Sequence, residues 1–88
     1  PATFELFQNY PNPFNPSTTI KYGVPRQSRI KIEVFNALGI SVAVLVNEFH
    51  QPGYYTVKLE RTGLPSGMYF YKLTAPGWIE TKKMLLMK

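Results

Sequence analysis

Three prolines, Pro11, Pro13 and Pro16, lie close together near the start of the chain. Proline has no backbone N–H, and its fixed φ interrupts both helices and sheet ladders. Each residue ahead of one, Tyr10, Asn12 and Asn15, is pushed to extended or polyproline geometry. Residues 8–18 are therefore neither helix nor regular strand. The Asn and Ser side chains of this run bond nearby backbone groups and build Asx-type turns. Tyr10 and Phe14 sit among them, and two aromatics in a loop need a surface to pack on. The pattern predicts an ordered strap over residues 1–18, with a short strand over 4–7.

From Thr19 the pattern is β. Residues 19–24 alternate and stop at Pro25. Ile30, Ile32 and Val34 alternate with Lys31, Glu33 and Phe35, a period of two. Residues 36–39 turn the chain at Gly39. A β-branched run follows over 41–46, then a polar loop over 47–52 that contains His50. Tyr55, Val57 and Leu59 share one face of the next strand. Residues 62–67 turn again, 68–75 are strand-like, Pro76-Gly77 is a tight turn, and 78–87 form a last strand. No stretch carries a useful helical period. The expectation is an all-β fold, a β-sandwich of about seven antiparallel strands in one small domain of 88 residues. Its inward faces are expected to carry Ile30/Ile32/Val34, Val42/Val44/Val46, Tyr55/Val57/Leu59 and Tyr69/Tyr71/Leu73. The phase of 41–46 and of the last strand stays open, because both faces there are apolar. The segment Leu64-Pro65-Ser66-Gly67-Met68-Tyr69 is similar to a tyrosine corner, in which the Tyr69 hydroxyl bonds backbone a few residues upstream.

The residue types present exclude most site chemistry. The chain has no cysteine, no aspartate and one histidine. Disulfides and thiolate metal sites are absent, and zinc lacks a second His. The carboxylates Glu5, Glu33, Glu48, Glu60 and Glu80 are dispersed, so no catalytic pair and no calcium loop is expected. His50 reads as an exposed loop histidine without an acid partner. Catalytic, metal and cofactor sites are all expected to be none. Ten Lys and Arg against five Glu give a net charge of +5, but they form no basic run of the kind that binds nucleic acid. Lys31, Glu33, Lys58 and Glu60 alternate with apolar residues, as on the wet face of a sheet. No apolar run approaches the ~20 residues of a transmembrane segment. Tyr54 and Trp78, if exposed together, would stack on sugars. This supports an alternative, a carbohydrate-binding or cell-attachment module of a secreted glycoside hydrolase. The chain opens on Pro1, which suggests excision from a longer secreted protein.

One resemblance covers nearly the whole chain. The run Leu6-Phe7-Gln8-Asn9-Tyr10-Pro11-Asn12-Pro13-Phe14-Asn15-Pro16-Ser17-Thr18, with Ile20 and Tyr22, resembles the opening of type A C-terminal sorting domains of the type IX (Por) secretion system. Val34-Phe35-Asn36-Ala37-Leu38-Gly39 resembles the family's central strand and turn, with Phe35 where members often have Tyr. Pro52-Gly53-Tyr54-Tyr55-Thr56-Val57 resembles its glycine-led strand, and Ser66-Gly67-Met68-Tyr69 its Ser-Gly-x-Tyr segment. Lys82-Lys83-Met84-Leu85-Leu86-Met87-Lys88 resembles its lysine-ended tail.

The resemblance implies an immunoglobulin-like sandwich, similar also to the Ig-like domain of flagellar hook-capping proteins. It implies one sorting domain over 1–88, with a strap over 1–18 and a sandwich body over 19–88. Its role would be a non-catalytic address label on a cargo domain N-terminal to it. The implied partners are the outer-membrane type IX translocon and a sortase-like peptidase. The route runs through the periplasm to the cell surface or medium. The candidate recognition residues are Asn12, Pro13, Phe14, Asn15, Pro16, Gly53, Gly67, Tyr69, Lys83, Met84 and Lys88.

Overall fold

Alternating apolar residues pair into sheets that hide one face each. A computed structural model describes residues 1–60 and 62–87 of the chain. Its strands are β1 (Glu5–Leu6), β2 (Ser17–Val24), β3 (Ser28–Asn36), β4 (Ser41–His50), β5 (Gly53–Glu60), β6 (Gly67–Ala75) and β7 (Trp78–Leu86). They form a three-stranded sheet, β1-β2-β5, and a four-stranded sheet, β4-β3-β6-β7. Every strand pair is antiparallel. The result is a seven-stranded β-sandwich, as the strand count predicts.

The core lies between the sheets. Ile20, Val24, Ile30, Ile32, Val34, Tyr71 and Leu73 are wholly shielded from solvent. Each aliphatic side chain among them contributes about 1.5–3 kcal/mol relative to exposure. The expected inward sets of β3, β5 and β6 hold, with Tyr55 and Val57 packed partly buried against the core. On β7 the inward positions are Met84 and Leu86. Strand β2 starts at Ser17, two residues ahead of the expected Thr19.

Strand β4 departs from the expectation. Val46 is buried, but Val42 and Val44 face solvent, and Ala43 and Leu45 pack on the core instead. The cause is two register shifts against β3. Ile32 faces Val46 while Glu33 faces Val44, and Val34 faces Ala43 while Phe35 faces Ser41. Each shift inserts one extra residue into β4 and resets which side chains point inward. The β4 strand also runs on through the segment expected as a polar loop, to His50. His50 is not exposed: it is buried at the end of β4, with Nε2 2.7 Å from the Tyr22 hydroxyl and its ring 4.2 Å from that of Tyr55. A histidine that fills a gap between aromatic rings needs no acid partner. The alternating charges do sit on wet faces, as Lys31–Glu33 and Lys58–Glu60 pairs at 3.4 and 3.3 Å.

Candidate functional site

The strap is stitched to the sandwich by one buried asparagine. Asn9 donates its backbone N–H to the Tyr71 hydroxyl at 2.8 Å, and that hydroxyl donates to the Phe7 carbonyl at 2.7 Å. The Asn9 side chain donates to Thr18 Oγ1 at 3.0 Å and to the Pro11 carbonyl at 3.2 Å. Thr18 Oγ1 in turn donates to the Pro11 carbonyl at 2.8 Å. This is the Asx-type chemistry the sequence suggests, and it flanks an antiparallel bridge in which Tyr10 and Thr19 exchange two backbone bonds of 2.9 Å. Burial pushes the Tyr71 phenol up to about 12, and the nearby Glu80 charge adds to the shift while the Asn9 N–H opposes it. Tyr71 therefore stays protonated and holds Phe7 and Asn9 at once.

On either side of Asn9 the strap lies against the outer edge of β7. Gln8 donates its side-chain N–H to the Lys83 carbonyl at 2.7 Å. Asn12 Oδ1 accepts the Leu85 N–H at 3.0 Å. Phe14 donates its N–H to the Leu85 carbonyl, and its own carbonyl accepts the Met87 N–H, both at 3.0 Å. Phe14 and Leu86 thus form a parallel bridge. The Phe14 ring is buried in the core, which fixes the strap's position. An open sheet edge is thereby covered by the chain's own loop, a recognised guard against edge-to-edge pairing. The seam leaves a groove of about 400 Å³, lined by Gln8, Asn12, Met68, Lys83, Met84 and Leu85 among others.

This seam brings together residues from both ends of the set singled out in the sequence. Asn12, Phe14, Lys83 and Met84 belong to it directly. Gly67 is the register partner of Leu86, and Tyr69 that of Met84, so both lie one strand inward. Tyr69 also closes the expected corner, donating its hydroxyl to the Pro65 carbonyl at 2.5 Å. Pro13, Asn15 and Pro16 are exposed on the strap, and Tyr10 is exposed too rather than packed. Gly53 stands apart: it pairs with Val24 in the other sheet. Gly53 and Gly67 have φ of 153° and 149°, backbone that side-chain-bearing residues rarely adopt. Lys88 lies outside the described residues.

Gln8, Asn9 and Leu85 were not among those candidates. Asn9 had a signal, since a side-chain amide in a proline-rich run must find partners. Gln8 and Leu85 had none, because their contacts span most of the chain. Tyr54 and Trp78 do not form a sugar-stacking pair. Trp78 is partly buried and stacked on Phe4 at 5.6 Å, while Tyr54 lies on the opposite sheet beside Phe7. Among the described residues no group of three or more His, Cys, Asp or Glu is placed to hold a metal ion.

Comparison with protein families matches residues 8–87 to the model described as "Secretion system C-terminal sorting domain". No curated protein and no solved structure matches the chain.

Proposed function

The chain belongs to the secretion system C-terminal sorting domain family, and on that premise we propose which surface carries the address. The family is a non-catalytic signal domain of the type IX system, and cargo that carries it is secreted to the cell surface or exterior. The address is the seam between the strap and β7. Its residues are Asn12, Pro13, Phe14, Asn15 and Pro16 on one side and Lys83 and Met84 on the other, with Lys88 a further candidate outside the described residues. Gly67 and Tyr69 support it from β6, and Gly53 is a separate candidate in the other sheet.

One observation carries this reading. Asn12 and Phe14 bond the backbone of β7 at Leu85 and that of Met87 just past its end, so the two ends of the family's sequence pattern form a single surface. The proline run supports assignment to type A, and the two-sheet sandwich supports a likeness in fold to the hook-capping Ig-like domain. The strap over 1–18 and the body over 19–88 act as one sorting unit. Its partners are the outer-membrane translocon and a sortase-like peptidase, met after passage through the periplasm.

The test is a secreted reporter fused ahead of residues 1–88, expressed in a host with a type IX system. Gln8→Ala with Asn12→Ala removes two seam bonds and the Gln8 bond to Asn9 Oδ1, and leaves the apolar core side chains in place. Surface arrival should fall at least tenfold while the purified variant stays folded. Undiminished arrival would assign the address elsewhere.

A further inference from the structure

The outer face of the four-stranded sheet is not the polar face expected where a sheet meets water. At the end near the 36–40 turn, Leu38, Ile40, Val42, Val44 and Met68 are all large, apolar and exposed. The two shifts in β4 put Val42 and Val44 on this side. Phe35 and Phe70, register partners on β3 and β6, lie half-buried on the same face. Exposed apolar patches of this kind mark interaction sites in soluble domains.

The charges on the face are mostly of one sign. Lys72 sits with Nζ 5.2 Å from the Phe35 ring, and Lys83 is the register partner of Phe70. The carboxylate beside them, Glu33, is already taken by Lys31 at 3.4 Å. A second copy of this chain would set Lys72 and Lys83 against like charges, on a molecule that carries +5 overall. A partner with carboxylates around an apolar centre would meet both features. The face is also continuous with the seam, because Met68 and its register partner Leu85 line the groove there.

We propose that this lysine-bordered apolar face docks a protein of the secretion machinery that presents an apolar patch rimmed by carboxylates. The inference rests on the sorting function and extends the address from the seam onto the sheet. The partner gains affinity from the apolar centre, while the lysines steer approach and set orientation.

The same reporter fusion tests it. Ile40→Thr, Val42→Thr and Val44→Thr together keep β-branching and remove apolar surface. Lys72→Glu reverses a charge without touching the core. Each variant should lower surface arrival at least fivefold, with the purified domain's melting temperature within a few degrees of the parent. Ile79→Ser, at the far end of the same face, should export normally. If both face variants export normally while the Gln8→Ala, Asn12→Ala pair fails, the seam is read alone and this proposal is wrong. If the purified domain dimerises through the face, and the triple variant does not, the occupant is a second copy and the proposal is again wrong. If the parent fusion never reaches the surface, the sorting function fails in that host and the face loses its assigned partner with it.

Discussion

The side-chain oxygen of Asn12 accepts the backbone N–H of Leu85 at 3.0 Å, across 73 positions of chain. Its partner strand already has its inner edge paired with β6, so this bond satisfies a group on the open side. Asn12→Ala should lower unfolding free energy by about 0.5–1.5 kcal/mol. Asn12→Asp keeps the acceptor and should recover most of that loss. Equilibrium denaturation of the three proteins checks the order; an Asp variant no better than Ala would remove the bond's role.

Phe14 anchors the strap in the core. Truncation to Ala should lose about 3–5 kcal/mol, a large share of what a small domain has. The Phe14→Ala domain should be largely unfolded at 37 °C by circular dichroism, and a fused reporter should stay inside the cell envelope. Phe14→Leu should retain the fold. A Phe14→Ala protein as stable as the parent would show that the strap is not part of the core.

The Tyr69 hydroxyl bonds the Pro65 carbonyl, and Phe lacks that hydroxyl. Tyr69→Phe should lose about 0.5–1.5 kcal/mol without altering the fold. A variant with unchanged denaturation midpoint would remove the corner as a source of stability.

At Gly67 an added Cβ would meet no atom within 4 Å, so the cost of a larger residue there is in the backbone. A φ of 149° held by a β-branched residue should cost about 1–3 kcal/mol. Gly67→Val should lose stability and reporter export together. Full stability with lost export would instead mean that the translocation machinery approaches this glycine closely.

Alkaline pH should weaken the fold through two phenols. Burial pushes both Tyr22 and Tyr71 from 10.0 up to about 12. A raised folded-state value means the folded protein keeps a proton that the unfolded chain releases. Stability is therefore full below about pH 10 and falls as pH rises toward about 12. Melting temperature followed across that window should decline, and Tyr71→Phe should show a shallower decline. An identical slope in the variant would refute the Tyr71 contribution.

Period-two patterning made β3, β5 and β6 readable, because Ile30, Val57 and Leu73 each sit in an unbroken alternation. It failed at Val42 and Val44. There the extra residues of β4 are set by pairing with β3, and a uniform apolar run gives no local sign of them. His50 was misread for a related reason: its partners Tyr22 and Tyr55 are distant in sequence, and a histidine reads as polar until its neighbours are known. At the seam, the strap and the tail were each legible as segments. Their meeting was not, since Phe14 and Leu86 pair through backbone atoms common to every residue.

The parallel bridge between Phe14 and Leu86 has a consequence for timing. Neither half of the seam exists by itself: a chain still emerging as far as β6 has the prolines but no edge for them to cover. Contacts this far apart in sequence also close late in folding. On the proposal that the seam carries the address, the label can be read only after β7 has been synthesised and has folded against the strap.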